Sequence, residues 1–549
     1  MKISGFFLII MFLFNTAIIS AQPFDMISVS DPVLEDLRFL SLVSGRPFLS
    51  FSPPLSPWEV RNFLDSIDEN ELSPPARQAY FRVQERLTPR ANLSSSYGIF
   101  SAFFNFNSTV KARFRFNTDV NEYPQNPNIA PIAAFPVRMF FADMLQLYFE
   151  PGFSMRPARY RLNTFDLNIP RGYDYYDETM PLRAFGAAGG SWWNFMIGRD
   201  RLFWGTGHTG SLMFNDNSQY FDFARLSFFG HRFKYSLVIN QLPLRLTHEL
   251  FGIPQSDFNL WANDNNLSRS NHRYFYLHRF DFTISDRLSI SIMEGVMVGD
   301  SAIELRYLNP LMIFHNFFSW EYYDRNWTPP DTLPGDNWGP GDLTGSILSI
   351  ELNWNIINSL AVYGQFVMNS FDLPWYTNSP PNSLGYLAGI QSAHSFNNWA
   401  SVFFLEFVYT DPFFGILGSP FASFIQQNRY RQYYFIGFPR DTISITLGAR
   451  FFNNDSLNFS ARFSWIANGQ FNEENLIWNW QRSDEARNAR TPTGIPEHSF
   501  ILSLNAGWKI HQFVVLGANL TGIASVNNRH EPGKTAVGGQ ASLSVSFRY

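Results

Sequence analysis

The 549-residue chain contains no cysteine. This excludes a disulfide framework, thiolate metal sites and a cysteine nucleophile. Charge is scarce as well: Asp, Glu, Lys and Arg make up 16% of the residues, against about 25% in an average soluble protein. A net charge of -5 and a pI near 6.1 leave no basic footprint for nucleic acid. Beyond the N-terminus, no stretch approaches the ~18 consecutive apolar residues that a spanning helix needs. What is abundant is aromatic side chain, 18% of the chain, with 59 Phe. Little charge beside so much aromatic surface excludes disorder and is unlike an ordinary soluble enzyme. The length is enough for three or four domains of ~150 residues, or for one large β-barrel.

The first residues read as an address. Lys2 gives a positive start, Phe6 to Phe14 is a short apolar run, and Ser20-Ala21 offers small residues for cleavage before Gln22. This is the layout of a signal peptide over residues 1–21, too short for a spanning helix. Three amphipathic helices are expected next, within a segment 22–92. Ser30-Asp31-Pro32 opens the first, with Val33, Leu34, Leu37, Leu40 and Val43 at helical spacing and Gly45 to end it. Ser56-Pro57-Trp58-Glu59 is a capping box leading into Val60, Phe63 and Leu64. Ser73-Pro74-Pro75 starts a third that Pro89 stops. Such a segment either plugs a barrel from the periplasm or dresses its mouth.

From about Leu93 the period changes from 3.6 to 2, marking a barrel over 93–549. Val110, Ala112, Phe114 and Phe116 alternate with Lys111, Arg113 and Arg115; Ile443, Ile445 and Leu447 alternate with Ser444 and Thr446. The pattern returns around Leu348–Trp354 and Leu457–Trp465, with Asn, Asp, Gly and Pro clusters between. A soluble sandwich alternates too, but long apolar faces with aromatics near their ends suit a wall facing lipid, its polar side lining a lumen. The ending Leu543-Ser-Val-Ser-Phe-Arg-Tyr549 is an alternating strand with an aromatic last residue, similar to the insertion signal of bacterial outer-membrane proteins. With ~10 residues per tilted strand and connections of about 15, the chain has room for roughly 18 strands. The expected fold is therefore an all-β transmembrane antiparallel barrel of about 18 strands with a small N-terminal helical segment on the periplasmic side.

The densest local motif runs from Gly198-Arg199 through Trp204-Gly205-Thr-Gly207-His-Thr-Gly210-Ser211 to Asn215-Asp-Asn217. Its GxGxxG spacing lacks the strand–helix context of a dinucleotide site, and no G-x-S-x-G elbow is present. The glycines suit a tight turn. His272, His278 and His315 lack metal-site spacing. Glu294, Glu351 and Glu406 fall on strand positions read as inward-facing, where carboxylates line a pore. No spacing selects a hydrolytic site, and no cofactor or metal is implied.

The same stretch resembles the signature of the capsule assembly Wzi family, through Gly198, Arg199, Trp204, Gly205, Gly207, Ser211, Leu212, Asn215, Asn217 and Phe221. Glu304-Leu-Arg-Tyr-Leu-Asn-Pro310 is similar to a segment that the family carries in a later strand and turn. Phe203 and Thr206 stand where better-known members tend to have Trp and Pro, which leaves the subfamily and its glycan open. The resemblance implies an outer-membrane barrel, 18-stranded in the family, acting as a surface lectin that holds capsular polysaccharide.

Aromatic and polar residues mix in the long loops as sugar binding requires. Candidate polysaccharide contacts are Trp320, Tyr322, Asp324, Arg325, Trp327, Asn337 and Trp338, in a stretch where Pro329, Pro330, Pro334 and Pro340 forbid regular strand pairing. Singly, such aromatics also suit an interfacial belt. The expected partners are surface polysaccharide, outer-membrane lipids, the barrel assembly machinery and polysaccharide export proteins, and not nucleic acid. A porin-like channel for solutes or glycans is the alternative that the same strands would build, and what separates the two is whether the lumen is filled.

Overall fold

The computed structural model describes residues 24–88, 93–117, 120, 132–155, 165–167, 182–215, 220–243, 272–299, 303–314, 344–370, 381–415, 423–428, 431–434, 438–453, 456–470 and 488–549. The expected signal peptide lies outside them.

The period-two segments become strands, each paired antiparallel with a near neighbour in sequence. Thr442–Asn453, Leu457–Asn468 and Thr344–Ile357 contain the alternations read from the sequence. The last strand, Thr535–Arg548, bonds along Asn107–Phe116, so the sheet meets its own beginning. That first strand is interrupted at 105–106, yet Phe104↔Val137 and Asn107↔Ala134 hold one register, and Asn105 N donates to Pro136 O between them. The wall therefore closes. Among the described residues, counting pieces that follow one another along the same neighbour as a single strand gives 18 strands around the circuit, with the short strand Leu93–Tyr97, paired to Phe100–Phe104, outside that count.

Burial is inverted relative to a soluble sheet. Ile445 and Leu447 are 42% and 58% exposed, whereas Ser444 and Thr446 between them are 6% and 3% exposed. Apolar side chains facing outward and polar ones facing inward are what a lipid-facing wall requires. One end of the barrel carries short turns, such as those at Asp286-Arg287, Asn358-Ser359 and Asn397-Asn398; the other carries long connections.

The helices meet the short-turn end. They are α1 (Val33–Ser44), α2 (Pro57–Leu64) and α3 (Pro74–Arg86). Gly45 closes α1 with φ of 70°, and its N–H bonds Leu42 O. The capping box of α2 forms as expected, with Ser56 Oγ accepting from Trp58 N and Glu59 accepting from Ser56 N. Glu59 does more than cap. It also takes a hydrogen bond from Asn194 and an ion pair from buried Lys234 on the barrel wall. The apolar face of the helices buries Leu37, Phe39, Leu40 and Val60 against Ala361, Ala393, Ala400 and Val402, which point inward from three strands.

Two readings need correction. Glu294 does not face the lumen. It pairs with Leu348 on the outer face, while its neighbours Met293 and Met297 point into the core. The Glu304–Pro310 segment is not strand but a 3-10 turn, Leu305–Leu308, laid against that outer face. The outward polar groups satisfy its backbone: His278 Nε2 bonds Tyr307 O at 2.8 Å, Phe314 N donates to Glu294 at 2.7 Å, and Glu304 N donates to Tyr276 OH at 3.0 Å. A carboxylate and an imidazole on the outer wall thus solve a hydrogen-bonding problem, since irregular backbone beside lipid needs protein partners.

Candidate functional site

The glycine-rich motif begins at the end of strand Trp193–Asp200. Gly198 sits at φ of 135°, and a Cβ there would stand 2.6 Å from Phe185 Cα, so only glycine fits. Arg199 is tied across the ladder to Asp222 by bonds of 2.8 and 2.5 Å, and Asp200 is held by Arg183 at 2.6 and 3.0 Å. These pairs fix the point from which the chain turns into the barrel instead of rising above it.

Residues 201–215 then cross the lumen. Phe203 N and Gly205 N donate to Pro53 O and Phe51 O of the helical segment. Arg38 on α1 donates to Thr206 O at 2.7 Å and Gly207 O at 3.3 Å. From the opposite wall, Glu406 accepts from His208 N at 2.7 Å, Thr209 N at 3.0 Å and Tyr363 OH at 2.8 Å. Gln365 takes Leu212 N at 2.7 Å, and the His208 ring stacks on Phe404 while bonding Gln391 at 2.7 Å. Ser211 Oγ donates to Trp204 O within the loop. Trp204 itself is fully buried, edge-on to Phe214, with the Arg279 guanidinium 5.6 Å from its ring centre. The surrounding apolar cluster reaches from Phe185 and Met196 on one side to Leu387 and Val408 on the other. The lumen is therefore filled along this side by a segment hydrogen-bonded to helix and wall at once.

The electrostatics lock the same parts together. Burial opposes charge on Asp25, but Arg86 and Arg138 outweigh it and hold the carboxyl below the usual carboxylate range. Those two arginines come from α3 and from the wall. Glu35 of α1 pairs with Arg450 of the wall. Its side chain is half open, onto the enclosed interior, where desolvation raises the pKa; Arg450, then Arg38, overcome this and bring it to about 2.

The motif residues Trp204, Gly205, Gly207, Ser211 and Asn215 thus come together in one inward turn, Gly198 and Arg199 stand in the strand that leads into it, and Trp204, Ser211 and Asn215 are buried too completely to touch a ligand from outside. Asn217 and the loop candidates Trp320, Tyr322, Asp324, Arg325, Trp327, Asn337 and Trp338 lie outside the described residues. Sequence reasoning missed Arg38, Gln365, Gln391 and Glu406 as partners of the motif. Their one signal was position, since Glu351, Gln365 and Glu406 stand on polar faces of otherwise apolar strands. Glu351 and Glu406 do face inward, but they bond the interior rather than line open water.

No protein-family model matches the sequence, and no curated protein matches it. Among solved structures, the chain is similar to Wzi of Escherichia coli, described as an outer membrane protein involved in group 1 capsule assembly and a carbohydrate-binding β-barrel. The TM-score is 0.56 at 13% identity, covering 94% of this chain and 98% of that one. OprD of Pseudomonas aeruginosa aligns with a TM-score of 0.40 at 9% identity over 82% of this chain and 95% of that one. The chain has the fold of an outer-membrane β-barrel.

Proposed function

We propose that the chain is a capsule-assembly protein of the Wzi type, which binds and organises surface polysaccharide at the bacterial outer membrane and catalyses no reaction. In this reading residues 1–21 direct export, 22–92 form a helical unit on the periplasmic side, and 93–549 form the barrel. The observation that carries the reading is the inward segment 201–215, pinned by Arg38 from the helices and by Glu406 and Gln365 from the wall. A diffusion channel needs that space open. The sequence resemblance and the carbohydrate-binding description of the similar Escherichia coli barrel point the same way.

Polysaccharide contact is assigned to the loop bearing Trp320, Tyr322, Asp324, Arg325, Trp327, Asn337 and Trp338, whose flat aromatics and polar neighbours suit the apolar faces and hydroxyls of sugar rings. Outer-membrane lipids, the barrel assembly machinery and export proteins are the proposed partners. The porin-like alternative is tested by conductance. Purified barrel in a planar bilayer is expected to give no steady large single-channel steps, and porin-like steps would favour the channel.

A further inference from the structure

The helical segment meets the short-turn rim of the barrel along a seam, and part of that seam is left as a cleft of about 220 Å³. Residues 46–50 line one side with Asn62 and Phe63 of α2 and with Ser66 beyond it; the turn 229–232 lines the other, with Thr283 and Asp286. The lining lies within 24–88, 220–243 and 272–299, which are described without a break. Backbone bonds hold both sides. Gly45 ends α1 in the left-handed conformation, and the chain leaving it is fixed at once. Arg46 N donates to Ser44 Oγ at 3.3 Å, and Ser41 Oγ donates to Arg46 O at 2.8 Å. Opposite, Gly230 N bonds Phe233 O at 2.8 Å, and Thr283 N reaches Arg232 O at 2.9 Å. The cleft is therefore preformed, which spares a ligand the cost of ordering it.

Its apolar part is aromatic. Phe48 and Phe63 meet edge to face at 5.2 Å, and both, like Phe229, are buried. Its carboxylates are engaged. Asp286 pairs with Arg232 at 3.0 Å, and Glu59 takes Lys234, Asn194 Nδ2 and Ser56 N. Exposed Arg46 is additional to these pairs, so the lining carries one positive charge in excess, with the Asn62 amide as a further polar group. A guanidinium fork beside aromatic rings suits an apolar group that bears a carboxylate. An ammonium finds no carboxylate to spare among the lining residues, which argues against a free amino acid. The volume is below the ~300–1,000 Å³ of drug-sized pockets, so it suits a single residue and not a run of linked sugar rings. The last residue of a polypeptide meets all three conditions, and an amide such as Asn62 can both donate to and accept from the peptide group before it.

We propose that this cleft captures the C-terminal residue of a partner protein, its carboxylate on Arg46 and its apolar side chain against Phe48, Phe63 and Phe229. The proposal takes nothing from the polysaccharide reading, which concerns the long-loop end. The test is calorimetric titration of the full folded chain in non-ionic detergent with an acetylated pentapeptide ending in Phe, as the free acid and as the C-terminal amide. One acid is expected to bind per chain, at least tenfold more tightly than the amide, with affinity falling as salt rises. The same peptide ending in Ser should bind the wild type at least tenfold more weakly, and Arg46→Gln should lose at least tenfold in affinity for the Phe acid. Ser66→Trp, which fills the cleft without changing its charge, should abolish binding while remaining, like Arg46→Gln, a heat-modifiable barrel. Equal binding of acid and amide, wild-type affinity in folded Arg46→Gln or Ser66→Trp, or no binding of the acid would overturn the proposal. Octanoate shares the apolar group and the carboxylate. Its displacing the peptide at equal concentration would make the ligand a lipid acid and overturn the chain-end assignment. The proposed function is judged separately, by polysaccharide retention on cells.

Discussion

At the residue scale, single side chains decide whether the interior assembles. Gly207 lies in the inward turn where a Cβ would collide with Gly210 O and stand 2.9 Å from Leu387 Cδ1. Gly207→Val cannot be absorbed by moving one flexible tip, because backbone is among the atoms it meets. We expect the variant to give markedly less heat-modifiable barrel, read on gels, rather than a folded barrel with only a binding defect; normal folding would make the turn a ligand site first. Glu35 gives a second residue-scale test. Its pKa falls on folding, from 4.5 to about 2, so its contribution to docking α1 on the wall is complete above pH 4.5 and fades as pH falls towards 2. Protection of α1 amides from hydrogen exchange should therefore be flat from neutral pH to about 4.5 and then weaken, once corrected for intrinsic rates. In Glu35→Gln that acid step should be smaller. An unchanged step would assign it to Asp25 or another carboxylate.

At the scale of elements, the strands were legible because their inward and outward residues differ in kind at every step, as Ser444, Ile445, Thr446 and Leu447 do. The helices were legible from their ends, where Ser56, Glu59, Gly45 and the prolines mark the boundaries chemically. The site was much less so. Arg38 meets Thr206 and Glu406 meets His208 across long sequence separations, and no local period encodes such contacts. Glu294 misled for a specific reason. In Leu288–Gly299 the inward face changes from Ser289 and Ser291 to Met293 and Met297, so polarity stops reporting direction halfway along the strand. The wall assignment has a direct test. Leu447→Arg places a charge on the lipid face and should destabilise the barrel by roughly 2–4 kcal/mol near the membrane midplane. Asn505→Lys, at an exposed inward position, should fold nearly as well as the wild type. Thr446 is a poorer inward control than its alternation suggests, being buried and bonded to Ser464 at 2.9 Å. Equal loss of folded barrel from Leu447→Arg and Asn505→Lys would refute the inside–outside assignment.

At the scale of the whole molecule, the barrel is divided lengthwise. One side holds the helical segment and the inward turn in a packed interior with many hydrogen bonds, and the other keeps polar side chains such as Asn505 exposed towards the lumen. Filling of the lumen along the first side suits the proposed role of holding a polymer at the surface better than the passage of small solutes. The measurement that tests this most directly is retention of surface polysaccharide on cells, by antibody staining of washed cells against shed material. Cells lacking the chain are compared with cells supplied with wild type or W327A/W338A at equal surface level. The account predicts shedding without the chain, restored retention with wild type, and partial retention with the double variant, as a multi-point site loses contacts. Retention that is the same with and without the chain would contradict it.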